Sequence, residues 1–198
     1  MTEAHAQTLR ELVTRYLTEQ TPANLTALRH AVRSSGSFDP DVDLRGVIPL
    51  LEAGRHREAL DAVHAKMPGA ALNPLAHRLL AAAHEALGDD DAARREATLH
   101  TLSVASVLAT GDGTQERPWS VLRVADEYDI LRASSQRPTA QRQVSDERGQ
   151  FDVHTLEDGG EVWFEVTMED AWVWDIYRPA RFAKKVRVVT FKDVNVEE

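Results

Sequence analysis

The chain has 198 residues, 42% of them hydrophobic, carries a formal charge of −9 with a pI near 5.4, and contains no cysteine. It is long enough to bury a core without crosslinks, and disulfides, thiolate metal sites and cysteine nucleophiles are excluded. The acidic field opposes nucleic acid and anionic membranes, no apolar run reaches the ~18–20 residues that span a bilayer, and residues 1–16 lack a signal-peptide core, so a soluble cytoplasmic protein is expected.

Composition changes at Gly111. Before it lie 21 alanines and no tryptophan, whereas Trp119, Trp163, Trp172 and Trp174 all follow it with only 6 alanines. Alanine favours helix, and tryptophan and β-branched residues favour a pleated surface, so the expected fold class is α+β, a helical domain over residues 1–110 followed by a small antiparallel β-rich domain over 111–198. Neither part is basic, with 11 Lys/Arg against 14 Asp/Glu in the first and 12 against 18 in the second. The joint is Thr110-Gly111-Asp112-Gly113-Thr114, where two glycines stop a helix and Pro118 forbids its resumption.

In chain order, residues 2–20 place Leu9, Leu12, Val13 and Tyr16 at helical spacing. Thr21-Pro22 opens a second helix carrying Leu25, Leu28 and Val32, and Asp39 or Asp41 can cap the segment after Phe38. Gly54 and Gly88 then stand 34 residues apart, as do Ala59 and Ala93. A 34-residue period with glycine at a turn and a small alanine five positions on resembles the tetratricopeptide repeat, in which paired helices stack. The first pair is predicted over residues 42–53 and 57–67, with Pro49 a fault that makes the first helix bend or begin later. The second pair is predicted over 74–87 and 91–109. Two repeats are fewer than a free-standing solenoid needs, so the N-terminal helices should cap one side and the β-rich part the other, giving one compact unit.

In the β-rich part, residues 119–124 read as a strand and 126–131 as a short helix capped by Asp126. Residues 134–149 are either a long polar loop or an edge strand near 140–144. Alternation on both sides of Asp158-Gly159-Gly160 predicts a hairpin over 151–168, with Phe151, Val153, Val162, Phe164 and Val166 facing the core and His154, Trp163 and Glu165 opposite. Residues 185–191 supply one more strand.

The succession of a polar N-terminal helix, a repeat-like helical pair, Gly111-Asp-Gly113-Thr, Pro118, Val121 to Val124 and Asp126-Glu-Tyr128-Asp-Ile130-Leu131 resembles an uncharacterised bacterial family, domain of unknown function 4919. Phe38-Asp39-Pro40-Asp41 and the hairpin Phe151-Asp-Val153 with Val162-Trp-Phe164 fit the same pattern, which covers about residues 24–168 and leaves the segment after Met168 as an addition. The resemblance implies a fold and a bacterial source and brings no catalytic residue.

The groove side of the second repeat offers Leu75, Arg78, Ala82 and Glu85, whose mixed apolar and charged character suits a protein or peptide partner, and Trp163 is a further contact residue if exposed. A non-catalytic interaction or scaffold module is therefore expected, with no catalytic residue, metal or cofactor; occupation of the groove by the protein's own β-rich part is the rival. The alternative is a metal-dependent or acid–base hydrolase built on Asp112, Asp126, Glu127 and Asp129 at a cleft between the two parts, for which buried convergent carboxylates would speak and solvent-facing helix caps would not. His77 and His84, with His64 and His100 on partner helices, are read as packing residues because they lack the four-residue pairing that grips a metal. The one basic stretch, Arg178 to Lys192 with Tyr177, Phe182 and Phe191, reads as an edge-strand gatekeeper or a segment docking on the acidic body, in preference to a nucleic-acid site.

Overall fold

A computed structural model of the chain describes residues 3–166 and 188–190. The fold is α+β, with seven α-helices and a short 3-10 turn among the described residues, ahead of and within a five-stranded sheet.

Helix α1 (Glu3–Thr18) and α2 (Pro22–Arg33) form the N-terminal pair. Thr21 caps α2 by accepting the Asn24 amide at 3.3 Å, and Pro22, which needs no amide partner, occupies its first turn. The apolar stripe of the pair, Leu9, Leu12, Val13, Tyr16, Leu25, Leu28 and Val32, closes over Leu72, Leu99, Leu102 and Leu122.

A 3-10 turn (Arg45–Val47) leads into α3 (Ile48–Glu52), followed by α4 (His56–His64), α5 (Pro74–Ala86) and α6 (Asp90–Leu108). Pro49 lies in the first turn of α3, so the helix expected from residue 42 starts at Ile48, where proline costs nothing, while Val42 and Leu44 enter the core from the preceding segment. Both hairpins turn in the same way. Gly54 (φ +71°) lets the Arg55 amide reach the Leu50 carbonyl at 2.8 Å, and Gly88 (φ +76°) lets the Asp89 amide reach the His84 carbonyl at 2.9 Å. The 34-residue period therefore sets a repeated backbone turn. The small-residue contact is less regular: Ala59 is buried in the first hairpin, but in the second the buried alanine is Ala92, not Ala93.

Beyond α6 the chain crosses Gly111, whose α-carbon lies so near the Arg117 and Pro118 carbonyls that a Cβ would come within 2.4 Å of them. There follow β1 (Trp119–Val121), α7 (Val124–Ala133), β2 (Pro138–Asp146), β3 (Gly149–Leu156), β4 (Glu161–Val166) and β5 (Val188–Thr190), in sheet order β1-β4-β3-β2-β5. Neighbours pair antiparallel except β1 with β4, which run parallel. The sheet is thus mixed, not purely antiparallel as expected, because α7 and the β2–β3 pair give the chain length to return to β1 in the same direction. Residues 138–146 are a strand flanked by β3 and β5 instead of a loop or an edge.

The hairpin forms where expected, but its faces sort differently. Val153 stands opposite Trp163 and Asp152 opposite Phe164, so Phe151, Val153 and Trp163 share one face. Leu156, Val162 and Phe164 share the other with Trp119, Val121, Ile130, Leu131 and Val107 of α6. Alternation gives each strand a sided pattern, whereas the turn length decides which side of one strand matches which side of the next. Apolar contacts cross residue 110 in both directions, through Leu122 in the N-terminal cluster and Val107 in the sheet cluster.

Candidate functional site

The acidic residues of α7 lie between the helical hairpins and the sheet. Its Ile130 and Leu131 are buried against the sheet, and this fixes the rotation of the helix. No side chain caps its start, and Asp126, expected as the cap, points instead across the molecule. Its Oδ1 accepts the Asn73 side-chain amide at 2.7 Å, and Asn73 Oδ1 accepts the Ala76 amide at 2.7 Å as the cap of α5. Beside this pair the Arg123 guanidinium is wholly enclosed, stacked over Phe38 at 4.6 Å, donating to the Asp39 and Gly69 carbonyls and standing 3.6 Å from Asp126 Oδ2. Burial lifts the Asp126 carboxyl to about 6 in spite of Arg123, and burial likewise lowers Arg123. For both partners the loss of water outweighs their mutual attraction.

One residue on, Glu127 faces the sheet. Its Oε2 lies 2.7 Å from His154 Nε2, and both side chains are 0% exposed. Asp152, two positions before His154 on β3 and therefore on the same face, lies within hydrogen-bonding reach of Glu127 and of Gln141 of β2, and Tyr128 donates its hydroxyl to Gln141 Oε1. The His154 ring meets Tyr128 and Phe164 edge-on, at centroid distances of 5.2 and 5.5 Å. Burial raises Glu127 well above the usual carboxylate range, with Asp152 adding to the rise; burial also raises Asp152 and lowers His154 to about 4. Asp129 looks toward α5, accepting the Leu75 amide and Arg132 Nη1 at 2.9 Å, and its carboxyl too is raised by burial.

The structure therefore gathers Asp126, Glu127 and Asp129 with Asp152, His154, Arg123 and Asn73. Asp112 stands apart on the surface, where Thr114 bonds hold its carboxyl below the usual range. Asp152 and His154 escape a reading that places His154 away from the core; their two-residue spacing on a strand was the available signal. Of the groove positions, Arg78, Ala82 and Glu85 are exposed along α5 and Leu75 is half-buried in the helical core. The N-terminal end of this stripe lies against α7, since Asp129 bonds the Leu75 amide and feels the Arg78 charge. Trp163 sits far from the stripe in the fold, on the sheet face away from α7, buried to 7% and covered by the Arg142 guanidinium at 5.6 Å. Trp172, Trp174 and, apart from β5, the basic stretch lie outside the described residues.

The histidines do not converge. His77 is buried between Glu96 at 2.7 Å and the Ala71 carbonyl at 2.9 Å, His100 bonds the Pro74 carbonyl, and His84 lies 3.5 Å from Asp89. Among the described residues no cluster of three or more His, Asp or Glu side chains has the arrangement to hold a metal ion, and no helix is long and apolar enough to cross a membrane.

Residues 141–198 match the model of a family described as "Protein of unknown function (DUF2469)". This overturns the resemblance to domain of unknown function 4919: the matched region begins within β2 and includes the segment after Met168, which that resemblance treated as an addition. Uncharacterized proteins from Mycobacterium bovis and from two strains of Mycobacterium tuberculosis are 77% identical to this chain over 39 residues, 20% of this chain and 39% of theirs. The chain thus spans about two fifths of the length of the curated relatives it matches. No solved structure matches it.

Proposed function

We propose that the protein is a non-catalytic interaction module, in which tetratricopeptide-repeat-like hairpins present the stripe Arg78, Ala82 and Glu85, with Leu75 at its inner end, to a protein or peptide partner. The observation that carries this reading is that Arg78, Ala82 and Glu85 stand exposed on one face of α5, while three of the carboxylates a hydrolase would use, Asp126, Glu127 and Asp129, are buried in the joint between the helices and the sheet: Asp126 is 1% exposed and already engaged by Asn73. A cation, a small residue and an anion within two turns suit an extended peptide with charges of both signs. A chain without cysteine is also at home in a reducing cytoplasm, which we adopt as its location.

The acid–base alternative draws support from one observation, the convergence of four carboxyls raised by burial around α7. Against it, Glu127 and His154 have no exposed surface through which to touch a substrate.

A photo-crosslinking residue placed at Ala82, in cells of the native host, tests the module. The expected result is a discrete adduct that is absent with the crosslinker at exposed Arg94 and lost in the double reversal Arg78→Glu, Glu85→Arg. Equal adducts from both positions would overturn the reading. Turnover of model esters by the purified protein, abolished by Asp152→Asn, would favour the hydrolase.

A further inference from the structure

The polar network between α7 and β3 has one proton too few if every carboxyl is ionised. Glu127 Oε1 is buried and has no donor, although Glu127 is in hydrogen-bonding contact with Asp152. Two carboxylates cannot bond to each other without a hydrogen between them. On the other oxygen, Oε2 faces His154 Nε2 at 2.7 Å, while His154 Nδ1 is buried with no partner. A proton on Nδ1 would be a donor stranded in the core, so the ring proton belongs on Nε2, donated to Glu127. At the outer end, Tyr128 donates to Gln141 Oε1, which leaves the Gln141 amide nitrogen as the donor to Asp152. Every bond then runs in one consistent direction, provided one hydrogen lies between Glu127 and Asp152.

We propose that Glu127 is a neutral acid at neutral pH, donating to an ionised Asp152, and that this shared proton is a pH-sensitive latch that fastens α7 to β3 and is released by alkali. The titratable groups bearing on Glu127 are Asp126 and Tyr128 from its own helix and Asp152 and His154 from β3, with Arg45 reaching only as far as Tyr128. Asp126 and Asp152 both disfavour a second negative charge, and burial acts in the same direction. Because the folded protein holds this proton more tightly than the unfolded chain does, the latch contributes fully below the ordinary carboxyl value of 4.5 and loses that contribution as pH rises from there through the folded titration. This goes beyond the interaction reading and is independent of it.

Glu127→Gln tests the latch, since an amide reproduces the neutral acid: its NH2 donates to Asp152 and its oxygen accepts from His154. Melting curves of the full chain from pH 5 to 9 should show Glu127→Gln gaining on the wild type as pH rises, by about 3–5 °C for each unit of pH spanned by the titration. A Tm difference that stays constant across the range would overturn the latch; the second amide hydrogen of the mimic costs the same at every pH, so the change with pH decides. Nitrogen-15 NMR of the wild type decides separately. A neutral His154 ring protonated on Nε2 at pH 7 supports the proposal; a His154 imidazolium at pH 7 would put the proton on the ring and contradict it.

Discussion

At Asp126 a helix start and a buried joint compete for the same carboxylate, and the joint wins because Asn73 and Arg123 lie across from it. Removing that carboxylate leaves the enclosed guanidinium with only carbonyl partners and the Asn73 amide without an acceptor. Asp126→Ala is therefore expected to cost about 3–5 kcal/mol at pH 7, measured by urea unfolding. The charge itself is not favourable there. Its folded value of about 6 exceeds the usual 3.8, so protonated Asp126 contributes stability below pH 3.8 that is lost as pH rises through 6, about 3 kcal/mol in all. His154, lowered from 6.5 to about 4, acts in the opposite sense, contributing above pH 6.5 and losing that contribution as pH falls through 4. The two trends oppose each other in the wild type. The difference between Asp126→Asn and wild type isolates the first: the variant should gain on the wild type from pH 4 to 7, and a difference that stays constant would contradict the account.

The helices and their turns were legible from spacing, since glycine at a positive φ and a 3.6-residue apolar stripe are local properties of the chain. Gly88 meets no atom within 4 Å of an added Cβ, so Gly88→Ala should cost only the left-handed backbone term, about 1–2 kcal/mol. Gly69 is different, because a Cβ there would lie 2.2 Å from the Ser37 carbonyl oxygen; Gly69→Ala should cost clearly more than Gly88→Ala in the same urea titration. Non-local features were not legible. An aspartate at residue 126 reads as a cap until Asn73, 53 residues away, is known to face it. The strands 151–156 and 161–166 each alternate cleanly, yet which faces coincide depends on the register across their turn, and this reversed the placement of His154. Trp163 falls on the predicted side of its strand, but burial by Arg142 removes it as a surface residue.

For the molecule as a whole, the change in composition at Gly111 marks a change of secondary structure more than a separation of cores. Leu122 packs among α1 and α2, Val107 packs beneath the sheet, and α7 carries buried carboxyls toward both sides. The family match, confined to residues 141–198, cuts through the sheet at β2, so the matched region lacks β1, α7 and the first part of the strand it begins in. The stripe proposed on α5 adjoins this union, since Asp129 of α7 accepts the Leu75 amide and feels the Arg78 charge.

All four tryptophans follow Gly111, whereas six of the seven described helices precede it, so two optical signals report on the two parts of one chain. Urea unfolding followed by tryptophan fluorescence and by helical circular dichroism should give coincident midpoints and slopes if the buried joint makes the helices and the sheet one cooperative unit. Separate midpoints for the two signals would contradict that claim.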